Sequence, residues 1–255
     1  MCTLTIVPCD DALQGLRIAC NRDESRLRPA ALVPEVREFG RRRAMLPIDP
    51  LGGGTWIAAS DAPLALVLMN VYVRPIGSEP IAIGARTTPP ISRGTIIPHA
   101  LAADSVAGAL ERARELDVAQ FEPFRLVIAA RRQFAEIVWA AGHLDVRGPA
   151  PIERPLFFTS SGLGDDVVAH PRRRLFEECF AAAADWPAAQ DAFHRHEWPG
   201  REFSSVWMTR PEARTVSLTV VEMGPQEVRM RYYARTSDDS PANEAKELSL
   251  PIELR

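Results

Sequence analysis

Residues 15–25 read GLRIACNRDES, and residues 1–9 read MCTLTIVPC. In the first stretch Leu16, Ile18 and Cys20 alternate with Arg17 and Ala19. In the second, Leu4 and Ile6 alternate with Thr3 and Thr5. A period of two is that of a strand with one apolar face. The connection between them, CDDALQ, is short and polar, so the pair reads as a β-hairpin. Residues directly opposite one another in such a pair share a face, so the even-numbered apolar positions must pair with even-numbered ones. Two registers satisfy this, one with Cys2 opposite Cys20 and one with Cys2 opposite Arg22. Both bring the polar run Asn21-Arg22-Asp23-Glu24 beside the first residues of the chain.

Outward from this hairpin, residues 26–52 are rich in Arg and Pro and read as an irregular excursion. Strands are expected near 55–59 and 64–71, then a loop over 74–91 with four prolines. SRGTIIPHALA, interrupted at Pro98, and SVAGALERARELD read as helices. Strands follow near 124–130, 134–140 and 156–159. PRRRLFEECFAAAADW has Pro171 near its start and Leu175, Cys179 and Ala182 on one face, a helical signature. WPAAQDAFHRH is a further helix, and strands are expected near 203–209, 214–223 and 227–234. Strands early and late with helices between them make an α+β pattern, most simply one domain with two helix-covered sheets. That domain is expected over 1–235, with an irregular tail over 236–255.

The 255 residues are 46% hydrophobic and 25% charged, which is ordinary for a globular chain, and the net charge of −3 offers no pull towards nucleic acid. The basic runs Arg41–Arg43 and Arg172–Arg174 read as solvated faces. The longest apolar stretch, APLALVLMNVYV, is too short to span a bilayer, and the strand pattern starting at Cys2 leaves no room for a signal peptide. Cys2, Cys9, Cys20 and Cys179 have no metal-ligand spacing, so no metal or cofactor is expected, and a reducing cytoplasm is the expected location. His194 and His196, two apart on a helix, make a poor metal pair.

Cys2 is the sharpest chemical candidate. Methionine is commonly trimmed when the next side chain is small. Removal of Met1 would then leave a thiol and a free α-amine on one residue. An α-amine titrates at about 7.7–8.0, so part of it is neutral near pH 7 and can take the thiol proton. Such an amine needs an acceptor to orient it, and the hairpin supplies Asp23. Arg22 can fix a carboxylate or bind an acidic substrate.

These segments together resemble the NRDE family, whose animal member is called Transport and Golgi Organization 2. The resemblance rests on MCTLTIV and ACNRDES, with weaker echoes in GGGTWIA (52–58), VLMN ending at Asn70, SRG (92–94), TSSGL (159–163) and REFSSV (201–206). That family is similar in turn to the N-terminal nucleophile hydrolases, in the branch of penicillin V acylase and bile salt hydrolase. The resemblance implies a four-layer αββα sandwich and a cysteine amidohydrolase acting on a small linear amide. It casts Cys2 as nucleophile and base, Asp23 as holder of the amine, Asn70 as oxyanion donor and Arg201 as a late active-site arginine. Asn21, Arg22, Ser160 and Ser161 would bind substrate. The pattern departs from the hydrolase branch in two places. Cys20 stands where an arginine precedes the aspartate by three, and TSS replaces a segment containing asparagine. The alternative the resemblance implies is a non-catalytic carrier for haem, acyl-CoA or another amphipathic ligand, with a role in lipid or haem handling.

Overall fold

The computed structural model describes residues 2–9, 15–73, 91–236 and 240–253, with Asp165 described by its backbone alone. The proline-rich loop expected over 74–91 and the hairpin connection at 10–14 therefore lie outside the described residues, apart from Ile91. The opening hairpin pairs β1 (Cys2–Cys9) with β2 (Gly15–Ser25), antiparallel, in the register that sets Cys2 opposite Arg22 and Leu4 opposite Cys20. Both strands are central in a six-stranded sheet. Its other members are β10 (Leu156–Ser160) beside β1, then β11 (Ala213–Met223), β12 (Glu227–Ala234) and β13 (Lys246–Pro251) beyond β2.

The second sheet has seven strands in chain order: β3 (Leu32–Phe39), β4 (Arg42–Ile48), β5 (Ile57–Ser60), β6 (Ala65–Asn70), β7 (Phe124–Ala130), β8 (Gln133–Ala140) and β9 (His143–Pro151). The even residues of the hairpin, Leu4, Ile6, Leu16, Ile18 and Cys20, pack against Met45, Ile57, Val67, Met69 and Val127 of this second sheet. Its outer face is covered by α1 (Ile96–Ala100) and α2 (Val106–Arg114). The outer face of the first sheet is covered by α3 (His170–Ala181) and α4 (Trp186–His194), through Phe157, Phe176, Phe180 and Phe193. The layers are α, β, β, α, the sandwich expected.

Several expectations are corrected. Residues 26–52 are not irregular, because they hold the β3–β4 hairpin, which turns at Gly40 with φ +62°. Its Arg and Pro content is that of a protected edge, with β3 outermost, mostly exposed and irregular between Leu32 and Glu35 around Pro34. β9, at the other edge, was not expected either. Residues 203–209 do not form a strand. They run through tight turns, with the Ser204 N–H on the Arg201 carbonyl and the Trp207 N–H on that of His196. The tail after 235 is not wholly irregular, since β13 pairs with β12 from Glu227↔Pro251 to Tyr232↔Lys246. Pro98 lies in the first turn of α1, where its missing N–H costs no hydrogen bond. On α3 the buried stripe is Arg172, Phe176 and Phe180, not the face through Cys179, and Ala182 lies beyond the helix end.

Candidate active site

Cys2 stands at the start of β1, where the hairpin's even face meets the second sheet at one end of the sandwich. A cavity of about 310 Å³ opens there. Its walls come from both sheets and their loops: Cys2, Arg22 and Asp23 from the hairpin, Trp56 and Asn70 from β5 and β6 or their approach, and Arg93 from the turn before α1.

The thiol of Cys2 meets the thiol of Cys20. The register makes them diagonal neighbours on one face of adjacent strands, and both are buried. A hydrogen bond from Cys20 pulls the Cys2 thiol down to about 7, against the cost of burial, with the positive chain terminus and Arg22 adding to the effect. The same bond and burial push the Cys20 thiol up, so Cys20 remains the proton donor of the pair.

Asp23 lies on the face of the ribbon opposite to the Cys2 side chain. Alternation dictates this, because odd residues of β2 point towards α3 and α4. There the Thr215 hydroxyl donates to Asp23 Oδ1 at 2.6 Å, and the Arg172 guanidinium lies 3.6 Å from Oδ2. Asp23 nevertheless reaches the cavity wall. On β2 it follows Arg22, the partner of Cys2, by one residue. Its charge bears on the Cys2 thiol, whose pKa it raises. The Cys2 N–H donates to Ser160 Oγ at 3.2 Å, since Ser160 is the β10 residue paired with Cys2.

The remaining expected residues divide. Asn70, at the end of β6, lines the cavity half-buried, with Nδ2 donating to the Tyr72 hydroxyl at 3.4 Å. Arg22 also lines it, but its guanidinium is tied to Glu24 at 3.1 Å and Asp49 at 3.4 Å, and lies 4.1 Å above the Trp56 ring. Asn21 does not face the cavity, because it shares the odd face with Asp23. There its amide donates to the carbonyls of His194 and Val206, both at 2.9 Å. Ser161 caps the turn after β10 by accepting from the Leu163 N–H. Arg201 is exposed, with its guanidinium over Trp198 and away from the cavity lining. The late arginine near the site is Arg210, buried, which donates to the Phe203 carbonyl at 2.7 Å and to Ser161 Oγ at 3.4 Å, and acts electrostatically on Asp23.

Arg172 is the residue that the sequence hides. The sequence places it in a basic run that reads as solvated, yet it is fully buried beneath the hairpin. It donates to Thr3 Oγ1 at 2.6 Å and to the carbonyls of Ser204 and Ser205 while facing Asp23. The available signal was its place on the Phe176–Phe180 stripe, four residues before Phe176. Among the described residues no cluster of His, Cys, Asp or Glu is arranged to hold a metal ion.

No family model matches the chain, and no curated protein matches it by sequence. Solved structures do match in fold. Penicillin V acylase from Agrobacterium tumefaciens is similar over 98% of this chain and 86% of its own, at 12% identity and a TM-score of 0.51. The N-acylethanolamine-hydrolyzing acid amidase ortholog of Caenorhabditis elegans is similar over 96% and 99%, at 14% identity and a TM-score of 0.58. A variant of the conjugated bile acid hydrolase from Clostridium perfringens is similar over 99% and 97%, at 11% identity and a TM-score of 0.52. The fold is that of the N-terminal nucleophile hydrolases.

Proposed function

We propose that this chain is an NRDE-type amidohydrolase that uses Cys2, freed by loss of Met1, as an N-terminal nucleophile on a small linear amide. The observation that carries the reading is the Cys2 thiol, buried at the wall of a cavity and hydrogen-bonded to Cys20, in a fold shared with solved amide hydrolases.

In this reading the neutral α-amine of Cys2 takes the thiol proton, and sulfur attacks the amide carbon. The carbonyl oxygen becomes an oxyanion, met by Asn70 Nδ2 and a backbone N–H. The α-ammonium returns its proton to the leaving nitrogen as the C–N bond breaks, and a thioester remains on Cys2. Water, deprotonated by the same amine, attacks the thioester, releases the carboxylic acid and restores the thiol. The net change is amide plus water to acid plus amine. Asp23, fixed by Thr215 and Arg172, orients the amine from one side, and Ser160 Oγ meets it from the other. Cys20 fills the place of the hydrolase branch's arginine by lowering the thiol pKa through a hydrogen bond.

The test is hydrolysis of a panel of N-acyl amides by the natural chain, by Cys2→Ala and by a chain that keeps Met1. Turnover that vanishes in both altered chains supports the proposal. Turnover that survives in Cys2→Ala contradicts it. The carrier reading, with haem or acyl-CoA as ligand, gains no support from the cavity. Arg22, Arg28, Arg93, Glu24, Asp49 and Glu122 stand on its walls, whereas sites for amphipathic ligands are mostly apolar.

A further inference from the structure

We propose that Arg93 is the anion-recognising side chain of the cavity, and that the ligand is a small amide bearing one carboxylate close to the bond that faces Cys2. The word amide rests on the function proposed above; the anion site does not.

The three guanidinium groups that the described residues place on the cavity wall are not equivalent. Arg22 and Arg28 share two carboxylates, Glu24 and Asp49, and that group is balanced within itself. Arg93 makes no ion pair with any described carboxylate. One of its nitrogens donates to the Pro123 carbonyl at 2.9 Å. A guanidinium carries five N–H donors in a planar fork, so donors remain for a ligand. Burial disfavours its charge, while Tyr72, Glu122, Cys2 and Glu24 lie within electrostatic reach. A half-buried cation close enough to sense the nucleophile is a receptor for an anion held beside that nucleophile.

Its position is fixed by the backbone, which separates a built site from a stray surface arginine. Arg93 precedes Gly94, and Gly94 is pressed against Gly54. A Cβ on Gly54 would lie 2.4 Å from the Gly94 carbonyl carbon, and one on Gly94 would lie 3.0 Å from the Gly54 Cα. The Thr55 N–H donates to the Gly94 carbonyl at 3.2 Å. Two sequence segments, GGGTW and SRG, thus meet glycine on glycine and hold the arginine over the cavity. Glu24 and Glu122 line the same cavity. The planar fork of Arg93 matches a single carboxylate, which it can bind through both oxygens.

The experiment uses the full chain and reads alkylation of Cys2 by mass spectrometry, so it needs neither turnover nor loss of Met1. The rates with anionic iodoacetate and neutral iodoacetamide are compared in wild type, Arg93→Gln and Arg93→Lys. The ratio of iodoacetate to iodoacetamide is expected to fall about tenfold in Arg93→Gln and much less in Arg93→Lys, as loss of one charge-assisted contact implies. N-acetylglycine should slow iodoacetamide in wild type, N-acetylglycinamide should not, and the protection should vanish in Arg93→Gln. An unchanged ratio, or equal protection by the acid and its amide, overturns the proposal. Protection by inorganic phosphate as strong as by N-acetylglycine overturns the carboxylate assignment. A Cys2 that neither reagent reaches overturns the claim that the cavity delivers small molecules to the sulfur. If Arg93→Gln does not fold, the acid–amide comparison in wild type decides. A chain that shows this selectivity but hydrolyses no amide removes the function proposed above and keeps the anion site.

Discussion

Cys2 and Cys20 form a donor–acceptor pair whose consequence is a pH profile. Below about pH 7 the Cys2 thiol holds its proton and reacts slowly; above it the thiolate dominates. Alkylation of Cys2 should therefore rise through a midpoint near 7. In Cys20→Ala the acidifying hydrogen bond is gone, and the midpoint should move up towards the ordinary thiol range of about 8.5. A midpoint that stays put in Cys20→Ala would assign the acidity to another group. Arg172 makes a second residue-scale prediction. Arg172→Met removes one of the two arginines that act on buried Asp23, Arg210 being the other, and should lower stability by up to about 3–5 kcal/mol. A melting temperature unchanged from wild type would show that Asp23 does not depend on it. Cys2 and Asp23 were legible as candidates because their identities and nearness in the hairpin follow from two-residue alternation. Arg172 and Arg210 were not legible, because an arginine on a helix or in a turn carries no mark of burial until the surrounding layers are in place. Arg201 was named on the resemblance alone, and sequence order does not tell which arginine turns inward.

Between α4 and the hairpin, a buried network fixes one element on another. Gln190 donates to Thr5 Oγ1 at 2.7 Å, Thr5 Oγ1 lies 2.7 Å from His194 Nε2, and His194 Nδ1 lies 2.9 Å from Asn21 Oδ1. The Asn21 amide already donates to two carbonyls, so its oxygen accepts from Nδ1–H, and Nε2 accepts from the Thr5 hydroxyl. This closes only with a neutral imidazole. Burial, with Arg17, Arg195 and Arg172 nearby, holds the His194 pKa well below its ordinary value. An unfolded histidine takes a proton at about 6.5 while the folded one does not, so the unfolded state binds more protons as pH falls. Stability should decline below about pH 6.5, by at most about 1.4 kcal/mol per pH unit from this one group. Denaturant titrations from pH 7 to 5 should show that slope, and His194→Gln should flatten it although it lowers stability at neutral pH. A slope unchanged in the variant would place the effect elsewhere. The Gly54–Gly94 contact makes the other prediction at this scale. Gly54→Ala forces the 92–94 turn away, should cost about 1–3 kcal/mol as overpacking does, and should lower the iodoacetate preference of Cys2 along with Arg93→Gln. Central strands such as β6 and β7 were legible in their apolar runs. β3, β9 and β13 were not, because edge strands carry Pro, Arg and Glu like loops and owe their pairing to the neighbour they lie against.

Across the whole molecule, the two sheets converge so that the first residue of one central strand meets a charged cavity built largely by the other sheet and its loops. The layer order was within reach of the sequence, through the alternation of the opening hairpin and the helices between early and late strands. The cavity was not, since its walls unite residues from 2 to 122 that only the sheet-on-sheet packing brings together. No helix among the described residues is long and apolar enough to cross a membrane. The central claim is that Cys2 serves as the chain's own terminus, with Asp23 and Ser160 on either side of its amine. Intact-mass measurement of the chain as its own cell makes it tests this most directly. The account predicts a mass short by one methionine, with Cys2 at the amino end; a mass that still includes Met1 would contradict it.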